Sequence, residues 1–486
     1  MQSENLNKNT IYVSSEIGQL RRLMIHNPDN GLAKVIPSKA QDWLFEDIIH
    51  LDSMRKDEYD FYVKLLLFFL DPDKIISQIK FADDPQNQRQ FYEPDQKAYF
   101  KSDKVIDPQF LLAEVIEDQV LKLKLVSSIC AIERCPYRSV DELMAIEPCE
   151  LAKTLISGVM PDGQIIFPPV PNFIFTRDIG IVINDHILLN RPAKLVRFRE
   201  SLMMKYIFYN HPFFKDYQDK IIEISDDEHH FYLSLEEAAQ NEITLEGGDI
   251  MVVHKNHVLV GISERTSYKA VNRIIDQLFS RNIVRKVTVI KIPKKRDFMH
   301  IDTVFTQVKR NVWVLFGALS RQNIAYTDRS YIQDANSPFF GKKHRPEIIQ
   351  FHQGNENNPI HFEYLEDLLD DISQNDFQSS EETRFIYSGD GEYPFVLREQ
   401  WTDSCNVLAI REGVVIGYDR NTKTAESFKK QGFEVLMAAD LVDQFVKGEK
   451  HPNEIQNTLI LLPSAELSRA RGGSHCMSMP LLRDDC

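Results

Sequence analysis

Ile243-Thr244-Leu245-Glu246-Gly247-Gly248-Asp249, followed by the apolar run Ile250 to Val253, a polar break at Lys255-Asn256 and a second apolar run from Val258 to Ile262, is the stretch that decides the fold class. Two short apolar runs around a turn signal read as paired strands. Behind them Tyr268, Val271, Ile274, Ile275 and Leu278 recur at helical spacing across Ser263 to Phe279, with Ser263 expected as the cap. Strand, strand, helix is the unit.

The unit recurs. One copy is Asn172-Phe173-Ile174-Phe175-Thr176-Arg177-Asp178, then Ile179 to Ile183, a turn at Asn184-Asp185, and Ile187 to Leu189. Another begins at Met299-His300-Ile301-Asp302-Thr303-Val304-Phe305, turns at Arg310-Asn311 and continues from Val312 to Phe316. A fourth is Asn406 to Ile410, a turn at Arg411-Glu412-Gly413, Val414 to Tyr418, and a helix from Thr422. Three of the four copies carry an acid within or at the end of the first run. Repeats with equivalent polar positions predict an α/β ring of units facing a shared centre.

Two regions stand outside the repeat. Residues 54–158 have helical spacing, with a Ser-x-x-Glu capping box expected at Ser139 to Glu142. They are expected to form an inserted helical subdomain, leaving 1–53 and 159–486 as the repeat domain. Residues 321–387 are rich in Asn, Pro, Gln and Ser, and predict a long surface excursion with one short acidic helix, Leu365 to Ile372.

The chain of 486 residues has 57 basic against 72 acidic residues, a net charge of −15 that disfavours nucleic acid and anionic membranes and welcomes a small cation. Its most apolar run, Tyr62 to Leu70, is interrupted by Lys64 and falls short of the roughly 20 residues that span a bilayer. Met1 to Lys8 lacks the apolar core of a secretory signal, so a cytoplasmic location is expected. The six cysteines show no disulfide-framework spacing and are expected to be reduced. No phosphate-binding loop, dinucleotide fingerprint or nucleophile elbow is present.

Chemistry gathers around Arg471-Gly472-Gly473-Ser474-His475-Cys476. Two glycines give the backbone a freedom that a packed strand would not use, so Cys476 reads as a nucleophile on a flexible loop. A thiol needs an acid-base partner. His300 is the best candidate, because strand alternation puts it on the same face as Asp302. Glu246, Asp249 and Asp178 add carboxylates from other copies. Singly, each is more often a solvated turn; together they suit a planar cation gripped bidentately. Asp226-Asp227-Glu228-His229-His230 offers metal-ligand residue types, yet adjacent residues cannot close one coordination sphere. His254 to His257 straddles a strand turn.

These segments, Phe175 to Asp178, Glu246 to Asp249, His300 to Asp302 and Gly472 to Cys476, together resemble the bacterial arginine deiminases. The similarity extends to Ser14 to Arg21, Asn190 to Ala193, Ser263 to Thr266, Glu399 to Trp401 and Tyr418 to Asn421. It implies the fivefold pseudosymmetric α/β propeller (pentein) of ββαβ repeats, its fifth unit combining Leu23 to His26 with Thr458 to Leu462. It implies hydrolysis of free L-arginine to citrulline and ammonia without metal or organic cofactor. In that scheme Cys476 attacks the guanidinium carbon and His300 shuttles protons. Asp178 and Asp302 hold the guanidinium, Glu246 orients His300 and Asp249 supports the site. Arg197, Arg265 and Arg471 lie near the substrate carboxylate, with Asn172, Phe175 and the backbone around Leu44 at the amino-acid end.

The chain departs from that pattern in the length of 321–387, in Glu46 where the pattern has Asp, and in Asp403-Ser404-Cys405-Asn406, which lacks the usual Gly. An amidinotransferase and a non-catalytic arginine sensor stand as alternatives, and a homo-oligomer is left open.

Overall fold

The computed structural model describes residues 9–45, 47–82, 101–226, 232–234, 242–321 and 346–486. Five sheets share one plan. In four of them a hairpin is joined by a strand parallel to its second member. Gly180–Ile183 and His186–Leu189 are joined by Ile221–Ile222, and Ile250–His254 and His257–Ile262 by Lys286–Lys291. Phe305–Lys309 and Val312–Leu315 are joined by Arg384–Tyr387, and Leu408–Arg411 and Val414–Tyr418 by Thr458–Leu462.

The fifth sheet is assembled from distant parts of the chain. Met479–Arg483 pairs antiparallel with Leu20–Met24, and Val105–Ile106 lies parallel to Leu20–Met24. It is therefore completed by Met479–Arg483 and not by Thr458 to Leu462. That apolar run is buried between two parallel neighbours in the fourth sheet, the environment its composition suits.

Ahead of the hairpins the chain makes tight turns, which corrects a second expectation. Thr176–Ile179, Gly247–Asp249 and Ile301–Thr303 are 3-10 turns, not strand ends. At three residues per turn, positions two apart point about 240° from each other, so His300 and Asp302 do not share a strand face. The helix of the second unit starts later than expected, at Tyr268, with the Ser267 side chain accepting from the Ala270 N–H. Ser263 donates instead to Asp249 at 2.5 Å.

From 51 to 157 the described chain is mainly helical, including Asp60–Leu70, Pro108–Val115, Gln119–Ile132 and Pro148–Ser157. The capping box at Ser139 does not form. A turn begun at Pro136 already winds the chain, so Arg138 takes the cap position without a side-chain bond. This region also grips the segment leading to the cysteine. Tyr62 donates its hydroxyl to the Ser474 carbonyl at 3.1 Å, and Glu58 accepts from the Glu466 and Leu467 N–H groups at 2.7 Å each. No helix among the described residues is long and apolar enough to cross a membrane.

The described part of 321–387 is not a surface excursion. Glu347–His352 enters the largest sheet beside Lys286–Lys291, and Arg384–Tyr387 completes the third. The helix Leu365–Asp371 buries Leu365, Leu368 and Leu369 completely. Buried Trp313 donates its indole N–H to the Ser373 hydroxyl at 3.0 Å. The polar average of the segment concealed a helical apolar stripe. Residues 322–345, Glu46, 227–230 of the acidic-histidine run and Met1 to Lys8 lie outside the described residues.

Leu368→Ala tests that packing. Truncating a core leucine costs about 2–5 kcal/mol, whereas an exposed position costs about 0.5 kcal/mol or less. The urea midpoint is expected to drop accordingly, and an unchanged midpoint would return this helix to the surface.

Candidate active site

Cys476 sits in a buried turn, 474–477, immediately ahead of Met479–Arg483. The flexible loop expected there is in fact tightly packed. A Cβ on Gly472 would fall 2.2 Å from Phe175 Cε1, and one on Gly473 2.4 Å from the Asn406 carbonyl, so these glycines supply space rather than freedom. Tyr418 donates its hydroxyl to the Gly472 carbonyl at 2.7 Å. The Ser474 hydroxyl donates to the Ile416 carbonyl at 2.6 Å and accepts from the Leu408 N–H at 3.1 Å.

A tight cavity of about 20 Å³ opens at the thiol, far below the volume of a ligand-sized pocket. Its lining brings together Leu44, Asn172, Phe175, Asp178, Arg197, Glu246, Arg265, His300, Arg471 and Cys476, and adds Arg296 and Met299, which sequence reading missed. Asp302 and Asp249 stand just behind it. Asp302 Oδ2 lies 3.6 Å from Cys476 Sγ and accepts from His475 Nδ1 at 2.9 Å. Asp249 accepts from the Ile301 N–H at 3.1 Å and from Ser263, propping the turn that follows His300.

His300 lies between two carboxylates: Nε2 is 3.0 Å from Glu246 Oε2 and Nδ1 is 3.8 Å from Asp178 Oδ1. Burial opposes its charge, but Asp178, the bond to Glu246 and the charges of Asp249 and Glu246 prevail and push it up to about 10. Burial would raise Glu246; Arg197, His300 and Arg265 overcome it and hold the carboxyl well below the usual range. Asp249 goes the other way, pushed by burial up to about 6 despite the neighbouring His300 charge. The Cys476 thiol is held well above its ordinary value by burial, then by Asp302, Asp178 and Asp403. It is therefore a neutral thiol at neutral pH.

The arginines divide. Arg197 does not point at an amino-acid end: its Nη1 donates to Asp178 Oδ2 at 2.9 Å and to Glu246 Oε2 at 3.3 Å, and its Nε donates to Glu200 at 3.0 Å. The acidic floor captures it because buried carboxylates require a partner. Arg265 also reaches the acidic floor, its Nη1 3.7 Å from Glu246 Oε1, and Arg471 lines the same cavity. Arg471 carries a left-handed φ of 60° and stacks its guanidinium 3.7 Å above the Trp401 ring. Asn172 Nδ2 donates to the Trp43 carbonyl at 2.8 Å, holding the loop in which Leu44 has φ 58°.

Behind the cysteine runs a network to which no roles had been given. Glu16 accepts from Arg177 Nη2 at 2.5 Å and faces His475 Nε2 at 3.2 Å, while the Arg177 N–H donates to the Cys476 carbonyl at 3.1 Å. Glu16, Arg177 and His475 all sit beside recognised motif residues, which was the available signal. Asp178, Glu246 and His300 offer ligand atoms within 4.8 Å of one another, but the Arg197 guanidinium already bridges both carboxylates, so an organic cation network occupies the place a metal would need. Asp178 Oδ1, Asp302 Oδ1 and His300 Nδ1 are buried without a hydrogen-bond partner, as are Arg265 Nε and Arg471 Nε and Nη1.

These features define a buried cysteine centre with an imidazolium and carboxylates disposed toward a cationic group. A family model described as arginine deiminase matches residues 148–483. The arginine deiminase of Borrelia garinii subsp. bavariensis is 29% identical over 479 residues, covering 98% of each chain. That of Bacillus cytotoxicus is 27% identical over 501 residues, covering 98% of this chain and 100% of the other. The chain belongs to the arginine deiminase family. Among solved structures, SxtG, an amidinotransferase from Microseira wollei, covers 98% of both chains at 11% identity with a TM-score of 0.48. An adduct of dimethylarginine dimethylaminohydrolase covers 95% of this chain and 99% of that one at 10% identity, with a TM-score of 0.42.

The charge on His300 is directly measurable. Nitrogen NMR is expected to show both ring nitrogens protonated through neutral pH, with titration toward about 10. Because the folded value lies above the unfolded one, near 6.5, the histidine's stabilisation is complete below about 6.5 and is lost as pH rises toward 10. His300→Asn should flatten the pH dependence of stability in that window. Titration of His300 near 6.5 would contradict the proposed charge state.

Proposed function

We propose that this protein hydrolyses free L-arginine to L-citrulline and ammonia through a covalent amidino-cysteine intermediate. The observation that carries the reading is the pair of buried acceptors without a hydrogen-bond partner, Asp178 Oδ1 and Asp302 Oδ1, in a site where Asp302 Oδ2 lies 3.6 Å from Cys476 Sγ and whose lining includes the basic Arg265 and Arg471. A guanidinium has N–H donors for both carboxylates, and an α-carboxylate suits the arginines.

The chemistry follows from the charge states. The entering cation favours thiolate, so the thiol proton leaves to solvent as the guanidinium binds. Sγ then adds to the guanidinium carbon. His300, already an imidazolium, donates its proton to the departing nitrogen, and ammonia leaves an amidino-cysteine. Now neutral, His300 takes a proton from water, whose oxygen attacks the same carbon. Collapse breaks the C–S bond and yields the ureido group of citrulline. Glu246, hydrogen-bonded to His300, keeps the ring oriented through both transfers.

The same reading extends to architecture. The five sheets and their common plan support a fivefold pseudosymmetric propeller, with 1–53 and 159–486 as the catalytic domain and 54–158 as a helical insertion. The six free cysteines suit a reducing, cytoplasmic setting.

Cys476→Ser is expected to abolish citrulline formation from L-arginine, by at least about 10³-fold, while circular dichroism stays unchanged. A citrulline rate unaffected by the substitution would refute the assignment. Added glycine is expected to leave the products unaltered; ornithine and a new guanidino acid would identify an amidinotransferase instead. Arg265→Gln should raise KM for free arginine by about 10-fold or more, since a charged hydrogen bond contributes about 1.5–3 kcal/mol. An unchanged KM would remove Arg265 from substrate binding.

A further inference from the structure

In four of the five sheets a turn precedes the antiparallel pair and presents groups to the cavity or its floor. They are Asp178, Glu246 with Asp249, His300 with Asp302, and Cys476. The fourth hairpin, Leu408–Arg411 with Val414–Tyr418, also follows a turn, 402–405, which runs into Asn406 two residues before the strand. Sequence reading noted only that Asp403 to Asn406 departs from the family pattern, and gave Asn406 no role.

Asn406 is 1% exposed and makes two side-chain bonds across unit boundaries. Its Oδ1 accepts the Cys476 N–H at 3.0 Å, and its Nδ2 donates to the Asp302 carbonyl at 3.2 Å. The amide orientation is unambiguous, because a backbone N–H needs an acceptor and a carbonyl needs a donor. The facing chain accommodates it closely: a Cβ on Gly473 would lie 2.6 Å from Asn406 Oδ1. One side chain thus joins the nucleophile's turn to the turn carrying the carboxylate beside its sulfur. Of the groups facing the thiol, Asp302, Asp178 and Asp403 hold its proton on, as does burial, while the Asn406 side chain acts in the opposite sense.

We propose that Asn406 is the fourth unit's contribution to the site, a positioning residue whose amide locks the turn of Cys476 to the turn of Asp302 and so sets the sulfur against the carboxylate beside it. This inference rests on the hydrolase reading given above. A purely structural asparagine would hold the turn but leave the chemistry of the sulfur unchanged.

Asn406→Asp keeps the size and one acceptor oxygen but loses the donor; Asn406→Ala loses both bonds without adding charge. With arginine as substrate, both are expected to lower kcat by about 10- to 100-fold, the scale for losing one preorganised hydrogen-bond group, with KM within about threefold. Iodoacetamide alkylation of Cys476, followed by mass spectrometry across pH, is expected to show a midpoint about one pH unit higher in both variants than in the unsubstituted protein. Folded variants with kcat within about twofold and an unmoved midpoint would overturn the proposal. Loss of fold in the near-isosteric Asn406→Asp would overturn it too, making the residue a structural clamp. If the unsubstituted protein forms no citrulline, the hydrolase reading fails, while the alkylation midpoints still decide the part played by Asn406.

Discussion

The structure depends on how a cluster of buried carboxylates is neutralised. Glu16, Asp178, Glu200, Glu246, Asp249 and Asp302 are all buried around one cysteine. An unpaired buried charge is prohibitively costly, so each carboxylate must find a cation, a donor or a proton. Arg197 bridges Asp178, Glu246 and Glu200, Arg177 meets Glu16, and His300 and His475 supply further contacts. Asp249 takes another route: burial raises it to about 6, and Ser263 and the Ile301 N–H bond to it. After this pairing two of these oxygens are left without a hydrogen-bond partner, Asp178 Oδ1 and Asp302 Oδ1.

That electrostatic demand also explains the backbone. A strand would commit its N–H and C=O groups to a ladder and alternate its side chains between two faces. A 3-10 turn ahead of three of the four hairpins frees backbone N–H groups for carboxylates, as Ile301 does for Asp249, and aims successive side chains around an axis. The turns must then approach one another within contact distance. Gly248 illustrates the requirement: a Cβ there would sit 2.4 Å from His300 Nδ1. Glycine next to an acid is the signature of this close approach.

The repeats were legible in the sequence because hairpins leave a strong local signal, two apolar runs and a polar turn. The site residues were legible as types for a related reason: cysteine, histidine and acids stand out at recurrent positions. Their geometry was less visible. His300 and Asp302 were assigned a shared strand face, yet they reach the centre from different sides of a turn, one toward Glu246 and the other toward His475. Arg197 was read as an anchor for the substrate carboxylate because a sequence does not show which buried acid lies within reach of a long side chain. Residues 321–387 read as an excursion because composition averages over a helix whose apolar residues are few but fully buried. Asn406 stood out only as part of a departure from the family pattern, since a neutral amide shows a role only when both of its bonds are seen.

The neutral thiol has a consequence for selectivity. With Asp302, Asp178 and Asp403 facing it, Cys476 is a poor nucleophile until positive charge arrives. In the proposed reaction a guanidinium brings that charge to the carboxylates, so the substrate itself switches on the attacking group, and neutral molecules of similar shape leave it protonated. The same balance drives the end of the reaction. When the guanidinium carbon has become a ureido carbon, the charge that favoured thiolate has gone, and the departing sulfur recovers its proton. The citrulline product lacks the cation that the carboxylates hold, so the electrostatics that admit the substrate also favour release of the product.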